Sequence, residues 1–183
     1  MRIKAERREQ VITALVGHLL ANGLGQTSLR PLAAAAGISD RMLLYYFNDK
    51  TELMSCVIGR IADGFAAGLD AAMPADPLPP DQLLQQVIAL VRSPAMQPSM
   101  RLWLEIVAAA ARQEPPYPAL ATRILEQFIA WLDVRIAAPP GPARTRQAAL
   151  MLAVIDGAAL FDMVGGNSQA EAAQAALAQV RFL

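Results

Sequence analysis

The sequence predicts an all-α chain of about nine helices, on three observations. Apolar residues recur at helical spacing, as at Val11, Ile12, Leu15, Val16, Leu19 and Leu20. Ser, Thr, Asp or Asn stands before several of these runs and Gly or Pro after them, the residues that start and stop helices. No stretch shows the period-two alternation that a half-buried strand requires. Hydrophobic residues make up 55% of the 183 positions, but alanine supplies 36 of those positions, so the bulk apolar content is lower than the percentage suggests.

Taken in order, the first helix spans about residues 4–22 and is stopped by AsnGly at 22 and 23. Thr27 or Ser28 can cap a second helix, LRPLAAAA; with Ser28 as the cap, Pro31 falls in the first turn, where its missing N–H leaves no hydrogen bond unmade. Gly37 ends it. Ser39 can cap a third, DRMLLYYF, and Asp49 a fourth, which runs from Lys50 to about Ala72 with Leu53, Val57, Ile61, Phe65 and Leu69 on one face. The segment MPADPLPPD then favours a semi-rigid extended connection. Further helices are expected near 81–92, 99–113, 117–137, 143–165 and 168–181, punctuated by prolines and by GlyGlyAsn at 165–167.

Several function classes are excluded early. The longest apolar stretches carry Glu105, Asp156 and Asp162, whereas a membrane-spanning helix needs about 20 nearly uncharged residues. The charged start MRIKAERREQ leads into an amphipathic run with no cleavage-type site, so a cytoplasmic protein is expected. A single cysteine, Cys56, rules out an internal disulfide and a multi-cysteine zinc site, and a single histidine, His18, removes the familiar His-based metal and catalytic sets. Cys56 is expected to be an inert thiol and His18 a core-edge side chain. No nucleophile–base pair or phosphate-binding loop is present, so neither an enzyme nor a cofactor is expected. Net charge is zero, yet residues 1–50 carry a net +3 and the remainder −3.

The informative piece is residues 27–53, TSLRPLAAAAGISDRMLLYYFNDKTEL. A helix-turn-helix needs a tiny residue where two short helices touch, a glycine able to turn left-handed, and apolar residues holding the corner. Ala33 stands four before Gly37, and Leu32, Ala36, Ile38 and Leu43 fill the apolar positions. In such a unit the second helix enters the major groove. Arg41 and Met42 can then meet base edges, while Tyr45 and Tyr46 offer hydroxyls to phosphate or bases. Thr27, Ser28, Arg30, Ser39 and Lys50, at or near helix starts, suit phosphate contact.

These residues resemble the tetracycline-repressor-like family of bacterial transcriptional regulators. The likeness covers about residues 5–55: the first helix ending at AsnGly, then TSLRPLA, AGIS, LLYYF and FNDKTEL, with Phe47, Lys50 and Leu53 in the family's Phe-x-x-Lys-x-x-Leu spacing. It implies an N-terminal three-helix DNA-binding domain at 1–50 and an effector-binding and dimerisation domain at 51–183, connected by the helix at 50–72. It also implies a homodimer on a palindromic double-stranded operator, with a small-molecule effector altering the distance between the two recognition helices. Three residues depart from the family pattern: Asp40 stands where lysine is frequent, and Leu44 and Tyr46 where tyrosine and histidine are common.

In the body, Met96, Met100, Trp103, Phe128, Trp131, Phe161 and Met163 are candidates for an effector pocket, although aromatic and Met side chains at helical spacing equally make core. Glu105 and Asp156 interrupt apolar runs and are the candidate polar anchors, against readings as solvated or ion-paired groups. The Ala- and Gly-rich helices near 143–165 and 168–181 read as a dimer interface, with closure of the monomer's own core as the alternative. The expectation is a ligand-responsive, non-catalytic transcriptional regulator, a repressor released by a small, largely apolar effector. Its rival is a dimeric small-molecule-binding or protein-interaction module that has lost specific DNA binding.

Overall fold

The computed structural model describes residues 2–177. They form nine α-helices: α1 Arg2–Asn22, α2 Leu29–Ala35, α3 Asp40–Tyr46, α4 Lys50–Ala72, α5 Pro80–Val91, α6 Gln97–Ala111, α7 Tyr117–Asp133, α8 Pro142–Met163 and α9 Asn167–Leu177. A short 3-10 turn, Gly23–Gln26, follows α1. The chain divides into two compact units, one taking residues up to Gly64 with Arg101–Thr122, the other Phe65–Met100 with residues from Arg123 onward. No helix among the described residues is long and apolar enough to cross a membrane.

The first unit is organised by the helical stripe seen in the sequence. Val11, Ile12, Leu15 and Leu19 of α1, Leu32 and Ala33 of α2, Leu43 of α3 and Leu53, Met54 and Val57 of α4 are buried. Burying each such side chain contributes about 1.5–3 kcal/mol before the entropy of ordering it is subtracted. The α2–α3 corner forms as its residues require. Gly37 sits at φ +67° with open space where a Cβ would be, so backbone conformation, not crowding, demands glycine there. Its N–H donates to Ala34 O and that of Ile38 to Ala33 O, which satisfies carbonyls at the end of α2. Ser28 is the extended N-cap of α2, placing Pro31 in the first turn.

In the second unit α5 packs on α8, and α8 on α9. Phe65 of α4 meets Phe128 of α7 edge to face at 5.2 Å. The largest departure from expectation is the end of α7, which stops at Asp133 where a helix to 137 was expected. Two backbone hydrogen bonds, Leu78 N–H to Arg135 O and Ala137 N–H to Leu78 O, both 2.8 Å, pair the chain beyond Asp133 with the proline-rich connection. Asp133 itself accepts hydrogen bonds from Arg144 and from the Thr145 hydroxyl at the start of α8. That pairing fixes the 74–79 connection at Leu78, although the chain bends at Ala75 and Asp76 rather than running extended throughout. α6 also stops earlier than expected, at Ala111, where Gln113 turns left-handed and the Glu114 N–H reaches Ala109 O. The expected last helix, 168–181, begins at Asn167 and is helical to Leu177; its final residues lie outside those described.

Candidate nucleic-acid interface

The helix α3 is anchored by one residue. Leu43 is fully buried, and at about 100° per residue Arg41 and Tyr45 lie about 160° round from it, facing outward. Met42 and Leu44 flank that outward face, about 100° from Leu43 on either side. Their exposures agree: Met42 is 39%, Leu44 44% and Tyr45 59% exposed, and Arg41 is exposed as well. Asp40 and Tyr46 lie about 60° from the buried direction, on the inner side, and Tyr46 is half-buried against Tyr45 with ring centroids 5.4 Å apart. The acidic departure at Asp40 is exposed but lies off the centre of the outward face, in the first turn, where it favours the N-terminus of α3.

Around that face the structure places Ser28, Arg30 and Lys50 at exposed positions on or before helix starts. The Ser39 hydroxyl accepts the Met42 N–H at 3.3 Å and so caps α3. Thr27 requires a correction. It is only 7% exposed, and its hydroxyl donates to Leu24 O at 2.9 Å. Burial pushes the nearby Tyr117 phenol above its ordinary pKa, and the Thr27 hydroxyl opposes that shift. The Thr27 side chain holds the turn before α2 and is not turned outward to phosphate.

Two residues join the site that the sequence did not assign to it. The Lys4 ammonium lies 4.2 Å from the centroid of the Tyr45 ring, adding a cation beside the outward face. Leu44 is exposed among polar neighbours. The only prior signal for Lys4 was the charged N-terminal run, because its partner is 41 positions away. Arg8, from the same run, is internal: its guanidinium lies 4.6 Å from the Phe47 ring and bonds Glu52 at 3.0 Å and Cys56 Sγ at 3.1 Å. Cys56 is thus half-buried with an arginine partner. His18 approaches Gln26 O and Asn22, and so sits at the end of α1 as a core-edge residue.

The candidate effector residues divide between the units. Trp103 and Glu105 belong to the first, where Glu105 accepts the Leu24 N–H at 2.6 Å. The others belong to the second. Met100 is buried; the Met96 methyl occupies the space beside Gly68, and Phe128 meets Phe65 edge to face. Trp131 donates to Asp70 at 2.7 Å and lies under the Arg135 guanidinium. Asp156 and Met163 are half-buried on α8. Phe161 points the other way: it is exposed on α8, across the helix from the buried Leu152 and Ala159, so it lines no pocket with those residues.

Residues 14–56 match the family model described as bacterial regulatory proteins, tetR family. Over 112 residues the chain is 31% identical to the HTH-type transcriptional regulator BetI of Pseudomonas fluorescens, a match covering 58% of this chain and 56% of that protein. The match thus spans little more than half the length of that relative. Among solved structures, a transcriptional regulator from Streptomyces coelicolor A3(2) aligns with TM-score 0.73 and 23% identity over 95% of this chain and 97% of the other. The multidrug binding protein EbrR in complex with proflavin aligns with TM-score 0.71 and 24% identity over 94% and 98%. At such identities these two likenesses concern the fold.

Proposed function

We propose that this chain, which belongs to the tetR family of bacterial regulatory proteins, is a DNA-binding transcriptional repressor that binds a palindromic operator as a homodimer and is released by a small, largely apolar effector. The observation that carries the reading is the outward face of α3: a short helix, anchored by Leu43 across a left-handed glycine corner, that presents Arg41 and Tyr45 to solvent. Arg41 suits bidentate contact with guanine, and Ser28, Arg30, Ser39, Lys50 and Tyr45 suit phosphate or base contacts, while the half-buried Tyr46 packs behind Tyr45. The functional division is residues 1–50 for DNA and 51–183 for effector and partner, with α4 as the connection.

Dimerisation is proposed through α8 and α9. On α8, Leu150, Ala153, Gly157, Leu160 and Phe161 fall within about 100° of one another, opposite the buried side, and the C-cap Val164 continues the stripe. Val164 is 72% exposed, and a Cβ at Gly157 would meet nothing, so a second helix can approach closely at its centre. A two-fold pairing of this stripe with its copy follows the rule for isologous dimers, with recognition helices spaced by about 34–36 Å, one DNA turn. The proposed effector site draws on residues of the second unit, Met96, Met100, Phe128, Trp131 and Asp156, and the proflavin held by EbrR supports a planar aromatic ligand. An effector that binds one body conformation better must weaken operator binding in proportion, by linkage.

The test is a gel shift with the DNA upstream of the protein's own gene across a salt series. Specific retardation that weakens steeply with salt is expected. Equal and salt-insensitive affinity for all duplexes would overturn the reading in favour of a module without specific DNA binding.

A further inference from the structure

The outward face of α3 is unusual in its flanks. Arg41 and Tyr45 at its centre can hydrogen-bond, but Met42 and Leu44 on either side carry no donor or acceptor, and both are substantially exposed. Leu44 is not required by the core, since Leu43 alone anchors the helix from the inner side. Nor does the neighbouring chemistry suit a protein partner: the face carries Arg41 and has the Lys4 ammonium at its edge, while the exposed Asp40 stands one turn before Leu44 at the N-terminus of α3, beside rather than on the outward centre, so that centre is cationic with two apolar shoulders. A duplex major groove offers one apolar group that such shoulders can cover, the C5-methyl of thymine.

We propose that Leu44 and Met42 are specificity-determining residues that read thymine methyl groups on either side of a guanine contacted by Arg41. The inference rests on the DNA-binding reading and deepens it. Base readout is then split by chemistry: one cationic hydrogen-bonding contact fixes the centre of the half-site, and two apolar contacts select T·A pairs beside it. Because uracil pairs and hydrogen-bonds as thymine does but lacks the methyl, the two contributions separate cleanly.

The experiment begins with a randomised duplex pool selected on the full-length protein. Each thymine of the selected half-site is then replaced singly by deoxyuridine, and affinity is measured by fluorescence anisotropy. Loss of about fourfold per methyl, the scale of one buried apolar carbon, is expected at the positions flanking the guanine and none elsewhere. Leu44→Ala should abolish the thymine–uracil difference at one flanking position and Met42→Ala at the other. Leu44→Met, which keeps an apolar reach, should retain it, and unchanged circular dichroism would show that the variants fold. Deoxyuridine duplexes binding as tightly as thymine duplexes, or Leu44→Ala keeping the discrimination, would overturn the inference while leaving DNA binding intact. A pool that yields no sequence above background would sink the DNA-binding reading itself, and this inference with it.

Discussion

The Glu105 carboxylate of α6 occupies the volume in which a side chain on Gly23 would begin, and there it accepts the Leu24 N–H at 2.6 Å. Gly23 is at φ +64°, so glycine serves both the left-handed turn and the close approach of the acid. A carboxylate on a backbone N–H is a strong hydrogen bond in a dry site, but Glu105 is exposed, so Glu105→Ala should cost only about 1 kcal/mol. For a chain of this length that lowers Tm by about 2–4 °C. Gly23→Ala should cost more, because it strains the turn and displaces the acid together. Urea denaturation of the double variant should show less than the sum of the two. Strict additivity would mean that the glycine and the acid act independently.

The start of α4 predicts an acid-side stability change. Glu52 accepts the Asn48 N–H at 2.8 Å and the Arg8 guanidinium at 3.0 Å, while Asp49 accepts the Glu52 N–H at 2.7 Å. The Asn48 hydrogen bond first, then Arg8, hold the Glu52 carboxyl below its ordinary range against the opposing effect of burial. Since its folded value is the lower one, its contribution is present above the unfolded carboxylate value of about 4.3 and is lost as pH falls through the folded value. The stability difference between the parent and Glu52→Gln should therefore shrink between neutral pH and pH about 3. A difference that stays constant over that range would contradict the assignment.

Thr27 and Lys50 were expected to do the same work, and their surroundings separate them. Thr27→Val removes a hydroxyl that serves Leu24 O and Tyr117, so it should lower stability by about 1 kcal/mol and leave the salt dependence of operator binding unchanged. Lys50→Ala should lower the magnitude of the salt slope by about one phosphate contact with little change in stability. Arg41→Ala should weaken binding by about 10- to 100-fold and relax preference at one base pair. Anisotropy titrations at several salt concentrations, paired with thermal melts, distinguish all three.

These contrasts mark how far the sequence could be read. Helix spacing and caps are local, so α1 to α4, the Gly37 corner and the buried Leu43 were legible from neighbours within a few positions. Of the outward set on α3, Arg41, Met42 and Tyr45 were among the candidates read from the sequence, whereas Leu44 was not and the candidate Tyr46 lies on the inner side. Thr27 did not, because the partners that turn it inward are set by the 3-10 turn at Leu24 and by Tyr117, 90 positions later. Lys4 beside Tyr45 and Glu105 at Gly23 are likewise contacts between distant segments, which no local pattern encodes. The end of α7 was misjudged for a related reason: apolar spacing continues to Ile136, but backbone pairing with Leu78 competes with the last helical turn and prevails.

The exposed stripe of α8 leads to a prediction in which oligomeric state and DNA binding move together. Leu160 is nearly half exposed and stands three residues from Gly157, on the side away from the buried Ile155 and Ala159. Leu160→Glu should leave the monomer fold intact, since no core packing is removed, but a carboxylate within the proposed apolar two-fold contact, beside Gly157, loses its water without gaining a partner, at a cost of several kcal/mol. Sedimentation should therefore show a monomer at concentrations where the parent is a dimer. Operator affinity should fall toward that of one half-site, because two linked recognition helices bind far more tightly than one. Leu160→Met, with similar volume and no charge, should preserve both properties. A Leu160→Glu protein that remains dimeric and binds the operator at parental affinity would place the interface elsewhere on the chain.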